Sequence, residues 1–379
     1  MALFTDDDLQ PDSSTPPERI RPKRSVIVGW SFVGAAFILT LVLALVPAPY
    51  VIEQPGPVFN TLGTDQPVGS TPSKDAKPLI TIPSKTTYPT AGSLDLLTVS
   101  VVGNPDSLPS WFEVASAWFT PSKAVLPVDD VFPPGVTTEQ SNKENAQLMV
   151  DSQQDAIAAA LNELGYTYPQ EVVVKQIIKG SPADGVLKIN DEIITVNGVH
   201  VPGVQTLRDL LKQNGAGKPA IIGIIRDGAP STVQITPEKS GPTVIVGIGA
   251  GMHYSFPFDV MIQLNNVGGP SAGQMFALGI VDKLTPGKLN GGQRVAGTGT
   301  IDNEGNIGAI GGIRQKMYAA RDVGNTSFLA PQVNCDEVTG HIPPGLTVFA
   351  VKTLDDSLAV MKALSSHSST AAFARCPAS

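Results

Sequence analysis

The chain has 379 residues, of which 42% are hydrophobic, and its 37 glycines and 33 prolines predict many turns within two or three folded domains. Its formal net charge of −8 at pH 7 excludes the broad basic surface that binding to nucleic acid requires. The four histidines and two cysteines show no zinc-ligand spacing and no His-Glu-x-x-His motif, so neither a metal ion nor another cofactor is expected.

The first predicted element is a transmembrane helix over residues 26–46. This run of 21 residues is uncharged and predominantly apolar, and as a helix it would extend roughly 30 Å, about the thickness of a bilayer core. Four basic residues immediately precede it: Arg19, Arg21, Lys23 and Arg24. The positive-inside rule therefore places residues 1–25 in the cytoplasm, as a disordered tail, and everything after Pro47 outside. A cleaved signal peptide is the alternative, although the run is long for one and Pro47-Ala48-Pro49 is a poor cleavage context.

Residues 48–140 are expected to form a β-rich N-terminal extracytoplasmic region, because short strand-like runs alternate there with proline and glycine. Within it, residues 108–130 are rich in proline and aromatic residues. We expect four aromatic side chains to lie in the core, with packing near the membrane or a partner as the alternative: Trp111, Phe112, Trp118 and Phe119.

A helix is predicted over residues 142–164, where apolar residues recur at helical spacing and Gly165 can cap the end. A strand follows at residues 172–178. The next stretch, residues 180–198, opens with Gly180-Ser181-Pro182-Ala183 and ends with Asn190-Asp191-Glu192-Ile193-Ile194-Thr195-Val196-Asn197-Gly198. It resembles the central signature of PDZ domains, with Asn190 in place of the usual glycine. Residues 141–240 are therefore expected to hold this helix and a PDZ-like domain.

The PDZ resemblance implies peptide binding by strand addition beside a helix over residues 204–213, and a hairpin around Arg226-Asp227-Gly228. The loop ahead of Val172 lacks the Gly-hydrophobic pattern that captures a C-terminal carboxylate in many PDZ domains. A preference for a free C-terminus is therefore left open, and a module that serves only as a spacer is the alternative.

The candidate chemistry starts from a serine at a glycine-rich turn, within Gly268-Gly269-Pro270-Ser271-Ala272-Gly273. A helical pattern covers residues 271–282, and Pro270 suits a first helical turn because its missing N–H is not needed there. A serine at a helix N-terminus lies beside free backbone N–H groups and the positive end of the helix dipole, which can stabilise an oxyanion. Gly268 and Gly269 would let a substrate backbone approach closely.

A lysine 45 positions downstream, Lys316, ends the run Ile310-Gly311-Gly312-Ile313-Arg314-Gln315-Lys316. A lysine can replace histidine as the base that activates a serine, provided that burial lowers its pKa from about 10.4. The neighbouring apolar residues in the sequence would supply that burial: Ile310, Ile313, Met317 and Ala320. Ser271 and Lys316 are therefore predicted to be catalytic; an ordinary Gly/Pro turn and a solvated lysine are the alternative.

Three segments resemble the proteolytic domain of Lon-type proteases. The turn from Gly269 to Gly273, with Ala272 after the serine, resembles the family's nucleophile motif, although a glycine precedes it where Asp is usual. Val295-Ala296-Gly297-Thr298-Gly299-Thr300-Ile301 resembles a Thr-Gly segment that leads into a strand, with Thr300 in place of a common Glu. Residues 305–316 resemble the run into the catalytic lysine. The resemblance implies a Lon-type α+β proteolytic domain over residues 241–366, a tail over residues 367–379, and a role for Thr298 in orienting the lysine amine.

Together with the apolar helix and the PDZ-like module, the chain resembles the membrane-anchored, PDZ-containing Lon-like proteases of bacteria. This resemblance implies an α+β multidomain fold and a serine endopeptidase of the bacterial cell membrane that cleaves exported or membrane proteins. No ATP is expected to be used, since Gly215-Ala216-Gly217-Lys218 is followed by Pro219 and lacks the first glycine of a P-loop. A homo-oligomer is also implied, because Lon-like domains commonly form rings. The alternative is a non-catalytic exported PDZ scaffold with a degenerate protease fold.

The remaining candidate residues carry less specific signals. Cys335 and Cys376 are a candidate disulfide, because an oxidising compartment permits one, and two free thiols are the alternative. The histidines have no motif context, so each is expected on the surface or in a loop: His200, His253, His341 and His367. Asp302-Asn303-Glu304-Gly305 lacks the alternating ligands of a calcium loop and is better explained as a hairpin turn.

Overall fold

The computed structural model describes residues 24–71, 73–265 and 267–378. The predicted cytoplasmic tail therefore lies almost entirely outside the described residues. The helices, in chain order, are α1 (Arg24–Leu45), α2 (Trp111–Trp118), α3 (Val128–Val131), α4 (Thr138–Glu163), α5 (Val204–Asn214), α6 (Gly273–Leu284), α7 (Ile313–Asp322), α8 (Cys335–Val338) and α9 (Leu354–Ser365).

The strands fall into two large sheets and three short pairs. In chain order they are β1 (Tyr50–Asn60), β2 (Ile80–Thr81), β3 (Ser93–Val102), β4 (Ala124–Pro127), β5 (Gln170–Ile177), β6 (Glu192–Val196), β7 (Val199–His200), β8 (Ala220–Arg226), β9 (Ala229–Ile235), β10 (Glu238–Ser240), β11 (Thr243–Ile245), β12 (Ile248–Tyr254), β13 (Met261–Ile262), β14 (Arg294–Gly297), β15 (Thr300–Ile301), β16 (Ile307–Gly308), β17 (Ser327–Pro331) and β18 (Thr347–Val351).

The first large sheet, called here the central sheet, has the order β18-β17-β14-β3-β1-β4. The strands from β18 to β3 are parallel neighbours, whereas β1 is antiparallel to both β3 and β4. Alternate residues face different helices: Leu329 and Phe349 pack with α4, α6 and α9, while Phe328 and Val348 pack with α7 and α8. The result is a three-layer unit in which α6 and α7 lie on opposite faces of one sheet.

The predicted separation of residues 48–140 from the proteolytic region does not match this sheet. β1 and β4 pair with each other, and β3 pairs in parallel with β14, so Leu94 of β3 lies opposite Val295 of β14. Both side chains are fully buried. A parallel pairing between segments so far apart in the chain leaves no local pattern in the sequence, which is why the two regions looked independent.

The prediction that the four aromatic residues around α2 lie in the core is wrong. The short helix buries only Val114 and Ala117, while Phe112, Trp118 and Phe119 are exposed. The fourth, Trp111, is partly buried and packs edge-on against Tyr50, with ring centroids 5.8 Å apart. An eight-residue helix has one inward stripe, and small side chains already fill it.

The second large sheet forms the PDZ-like unit and has the order β12-β5-β6-β8-β9, with β7 beside β6. The predicted helix at residues 204–213 is present as α5, and the predicted hairpin is present as β8 and β9. Asn190 has φ +71°, the left-handed conformation that asparagine tolerates in place of glycine. Arg226, before the hairpin turn, donates two hydrogen bonds to the buried carboxylate of Asp191.

Both predicted boundaries of the PDZ-like unit differ from the structure. The α4 helix, placed with that unit at residues 141–240, packs instead in the core below the central sheet through residues such as Ile157 and Leu161. Conversely, β12 lies beyond residue 240 and yet completes the PDZ-like sheet by pairing with β5. The reason is the same in both cases: burial, and not sequence order, decides which unit an element joins.

The turn between β15 and β16 is one contact between the PDZ-like unit and the three-layer unit, and the hydrogen bond from Tyr254 of β12 to Asp155 of α4, at 2.6 Å, is another. Glu304 accepts hydrogen bonds from the hydroxyl of Thr206, at 2.9 and 3.0 Å, in the first turn of α5. Asn303 donates to the carbonyl of Pro202 and to the side chain of Gln170, at 3.0 Å each. Polar side chains of the turn therefore hold the start of α5.

Two further features concern the ends of the chain. Among the described residues, one helix, α1, is long and apolar enough to cross a membrane by its length and composition, a property that signal sequences near an N-terminus share. A disulfide joins Cys335, at the start of α8, to Cys376. It ties the C-terminal segment to the α7 face of the central sheet, where Cys376 is buried.

Candidate active site

The candidate nucleophile, Ser271, lies in the turn that leads into α6. The helix begins at Gly273 with Ala272 as its N-cap, so the prediction that Pro270 occupies the first helical turn is wrong. Pro270 precedes the helix, and its carbonyl accepts a hydrogen bond of 2.9 Å from the hydroxyl of Ser152 on α4. The turn is therefore anchored to α4 and presents Ser271 at the positive end of α6.

The two glycines before the serine fit the turn against α4. Gly269 has φ +83°, a backbone conformation that residues other than glycine rarely adopt. Its N–H donates to the carbonyl of Asn145 at 2.9 Å. A Cβ at Gly268 would lie 2.9 Å from the Cβ of Asn145. Close packing on Asn145 thus accounts for glycine at Gly268, in addition to any approach of a substrate.

The candidate base, Lys316, comes from the opposite face of the central sheet. It lies one turn into α7, whose N-cap Gly312 has the left-handed φ of +66°. Only 3% of Lys316 is exposed. Its Nζ lies 2.8 Å from Ser271 Oγ and 3.2 Å from Thr298 Oγ1. The structure therefore brings together the three side chains that the sequence singled out.

Thr298 is the residue that joins these groups. It follows β14 directly, and its N–H donates to the carbonyl of Leu329 at 3.1 Å, as the parallel pairing continues for one more residue. Its buried hydroxyl donates to the carbonyl of Ser271 at 3.0 Å and accepts from Lys316. The hydroxyl thus fixes both the serine backbone and the lysine amine.

The environment of Lys316 favours a neutral amine. Burial lowers the pKa of Lys316 from 10.5 to about 7, while the negative charge of Glu53 acts in the opposite direction. Glu53 is on β1, and burial in turn raises the pKa of its carboxyl. A lysine with a pKa near 7 has a large neutral fraction at neutral pH, which a general base requires.

Backbone N–H groups are available where an oxyanion would form. Among the described residues, no acceptor pairs with the N–H of Ser271 or of Ala272. The Ser271 carbonyl, by contrast, is held by the N–H of Gly299 at 2.9 Å as well as by Thr298. The peptide unit is thus fixed, and its free N–H groups lie at the start of α6, an arrangement able to stabilise a developing negative charge.

A cleft of about 1010 Å³ opens beside Ser271 and Lys316. Residues from β1, β3, α4 and the turn before α6 line it, and Thr300 lies on its wall. A second cavity of about 1360 Å³ shares part of this lining, including Asn145 and Gly268, so the two cavities adjoin, and together they are called the trough here. Besides Lys316, the charged residues of the first cleft are both acidic: Glu53 and Asp65.

Several residues of the site were not predicted from the sequence. Glu53, Asn145 and Ser152 reach the site from β1 and α4, and no motif surrounds them. The side chain of Asn334 makes two hydrogen bonds to the backbone of Ile310, which lines the cleft. It accepts from the N–H of Ile310 at 3.0 Å and donates to the carbonyl at 2.9 Å. Each acts through a contact that only the assembled fold creates.

The edge of the PDZ-like sheet that lies beside α5 is formed by β12. The sheet has β12 and β9 at its two edges, whereas β5, which contains Val172, lies inside it. A Gly-hydrophobic pattern, Gly247-Ile248-Gly249-Ala250, begins that edge strand. The pattern is absent ahead of Val172 because the edge strand that carries it follows the rest of the unit in the chain.

Comparisons with known proteins agree with both halves of this architecture. Residues 265–364 match the Lon protease (S16) C-terminal proteolytic domain, and residues 135–236 match the PDZ domain. The Lon protease of Geobacter metallireducens is 38% identical over 95 residues, which cover 24% of this chain and 11% of that protein. Lon protease 3 of Sorangium cellulosum is 28% identical over 240 residues, which cover 58% of this chain and 28% of that protein.

The chain spans about a tenth of the length of the first of these relatives. Among solved structures, the PDZ domain of an SdrC-like protein from Listeria monocytogenes is 22% identical, with coverage of 22% of this chain and 90% of that chain and a TM-score of 0.21. The family matches, the Lon relatives and the mixed α/β fold lead to one conclusion: the chain contains a PDZ domain followed by a proteolytic domain of the Lon (S16) family.

Proposed function

We propose that the protein is a serine endopeptidase that uses Ser271 as the nucleophile and Lys316 as the general base. The observation that carries this proposal is the 2.8 Å contact between Lys316 Nζ and Ser271 Oγ in a buried setting beside a large cleft. The match to the Lon proteolytic domain supports the class of reaction.

The proposed reaction is acyl transfer in two steps. Ser271 Oγ attacks the peptide carbonyl carbon while its proton passes to Lys316 Nζ, and the carbonyl oxygen becomes an oxyanion near the N–H groups of Ser271 and Ala272. The C–N bond then breaks as Lys316 returns the proton to the leaving amine. Water, deprotonated by Lys316, hydrolyses the acyl-enzyme and restores Ser271. Thr298 keeps the amine aligned in both steps.

Cleavage of an unfolded protein tests this proposal. We would measure hydrolysis of dye-labelled casein by the full chain in detergent, comparing Ser271→Ala, Lys316→Met and the control Ser100→Ala, whose serine lines the same cleft. Activity that the first two substitutions abolish and the control retains is the expected result. Activity that survives Ser271→Ala would show that another group is the nucleophile. Absence of activity in the folded wild type would favour the alternative of a non-catalytic PDZ scaffold.

We also propose that α1 anchors the protein in the bacterial cell membrane, with the catalytic unit outside the cytoplasm. Three basic residues before α1, Arg24 at its first position and the exposure of its apolar residues support this orientation. Protease accessibility in spheroplasts tests it: a C-terminal tag that is cleaved from outside agrees, and a protected tag contradicts it.

The substrates we propose are extended segments of exported or membrane proteins, cleaved without ATP and recruited or regulated through the PDZ domain. The trough beside Ser271 suits an extended chain, and within the described residues β12 pairs on one side only, with β5, which leaves its other side for strand addition. A homo-oligomer is part of the proposal by analogy with Lon-like rings. Casein hydrolysis with and without added ATP tests ATP independence, and sedimentation of the detergent-solubilised chain tests the oligomer.

A further inference from the structure

We propose that the exposed aromatic side chains of α2 and its C-cap, Phe112, Trp118 and Phe119, lie in the headgroup region of the bilayer and set the orientation of the proteolytic unit on the membrane. This inference rests on the proposed membrane anchoring by α1. The partner is the lipid surface itself.

The first argument is the exposure of three large apolar side chains on one short segment. Phe112 is 56% exposed, Trp118 59% and Phe119 88%. Single exposed apolar residues are ordinary on soluble proteins, but three large ones on one short segment indicate a contact surface. The inward face of the same helix is already complete, because Val114 and Ala117 are buried against Ala48 and Ile52.

The second argument is the position of α2 at the end of α1. The N–H of Trp111 donates to the carbonyl of Val46 at 3.2 Å, and the N–H of Ala48 donates to the carbonyl of Pro109 at 2.8 Å. Pro47 and Ser110 form an isolated bridge between these bonds. Backbone hydrogen bonds thus fix the start of α2 to the residues at which α1 leaves the hydrocarbon, and α2 lies at the level of the bilayer surface.

The third argument is the type of side chain. Trp118 and Trp111 both pack edge-on against Tyr50, with ring centroids 6.5 and 5.8 Å from it. Tryptophan and tyrosine concentrate at membrane–water interfaces, where the ring meets lipid and the polar atom meets water. The apolar side chains of α1 that end at this level, such as Leu45 at 72% exposure, require lipid around them. A bilayer that covers Leu45 also reaches the neighbouring α2.

The consequence is a second membrane contact beside the transmembrane helix. One helix alone would leave the catalytic unit free to tilt and rotate about its exit point. A second contact through Phe112 and Phe119, seven positions apart and therefore on one side of α2, restricts that motion. The active-site cleft then faces a fixed direction relative to the membrane.

Depth-dependent quenching of tryptophan fluorescence tests this proposal. The full chain, reconstituted in phosphatidylcholine vesicles, would carry Trp30→Phe and Trp111→Phe, so that Trp118 is the one tryptophan left among the three. In the control, Trp118→Phe is added together with Ile189→Trp, a position of the PDZ-like unit that is 60% exposed. Quenching by lipids brominated near the headgroup and by aqueous acrylamide would be measured for both.

The expected result is that brominated lipid quenches Trp118 at least about twofold more than the control, and that acrylamide quenches it at least about twofold less. Vesicle flotation separates the two levels of the proposal. A chain that floats with vesicles but whose Trp118 responds like the control overturns this inference alone. Shielding of Trp118 from both quenchers also overturns it, since protein and not lipid would then cover the face. A folded chain that does not float overturns the proposed anchoring and this inference with it.

Discussion

Replacing Glu53 with glutamine is expected to shift the pH dependence of proteolysis to lower pH. Lys316 must be neutral to accept the serine proton, so activity should rise as pH increases through the pKa of Lys316, which is about 7. The negative charge of Glu53 raises that pKa. Removing the charge lowers it further, and a larger fraction of Lys316 is then neutral at a given acidic pH.

The size of the shift follows from the position of Glu53. Glu53 and Lys316 line the same cleft, and Oε2 of Glu53 lies beside Gly312, the N-cap of the helix that carries Lys316. Two unit charges roughly 6–10 Å apart interact with about 2–3 kcal/mol at an effective dielectric constant of about 20. Because Glu53 is only partly buried, solvent reduces this, and a shift of about one pH unit is expected.

The assay is the initial rate of casein hydrolysis between pH 5.5 and 9 for the wild type, Glu53→Gln and the control Glu238→Gln. Glu238 is an exposed residue of β10, so the control makes the same chemical change outside the cleft. The rate of each variant is divided by the wild-type rate at the same pH, which removes any effect of pH on the substrate. At pH 6 the Glu53→Gln ratio should exceed its value at pH 9 by roughly fivefold to tenfold, whereas the control ratio should stay constant.

A ratio that does not depend on pH would refute the reasoning, because it would mean that the charge of Glu53 does not influence the base. A shift to higher pH would be a stronger contradiction, since it would require Glu53 to favour the neutral amine. A ratio that is equally low at all pH values is one form of the refuting outcome, and it would assign the carboxylate a structural role.

Three further outcomes are expected. Thr298→Val should lower kcat roughly tenfold with little change in KM, because the Lys316 amine loses its hydroxyl partner. Thr298→Ser should recover most of the loss, and equal defects in the two variants would contradict this. Gly268→Ala should slow casein hydrolysis roughly tenfold or more by pushing the nucleophile turn away from Asn145, and wild-type rates would show that the turn adapts. Replacing Cys335 and Cys376 together by serine should lower the free energy of unfolding by about 2–4 kcal/mol in denaturant titrations, and reduction of the wild type should have the same effect; unchanged stability would contradict it.

The elements that could be predicted from the sequence are those whose determinants are local. The serine turn, the lysine helix and Thr298 each carry a recognisable motif, and the structure brings the three side chains within hydrogen-bond distance. The PDZ signature likewise has its turn residues at fixed spacing, and α5 and the β8–β9 hairpin follow at the expected places.

The features that could not be predicted depend on contacts between distant segments. Glu53 reaches the cleft because β1 joins the central sheet, and nothing near it in the sequence indicates that neighbour. The α2 aromatics were predicted to lie in the core, and three of them are exposed, because hydrophobicity alone does not show whether an apolar side chain is buried. The edge strand β12 was missed because it follows the other strands of its sheet in the chain.

The turn between β15 and β16 belongs to the three-layer unit and also contacts the PDZ-like unit. Along the chain, the turn follows Thr298 and precedes Lys316. Glu304 in the turn accepts hydrogen bonds from Thr206 in the first turn of α5. The peptide addition to β12 proposed above would stretch these hydrogen bonds if it displaced α5, and the strain would then fall on the chain segment that leads from Thr298 to Lys316. Peptide binding beside β12 and the alignment of the catalytic residues are therefore expected to be thermodynamically linked. A peptide bound to the PDZ-like unit should change the affinity of the active site for an inhibitor, and the inhibitor should change the affinity for the peptide.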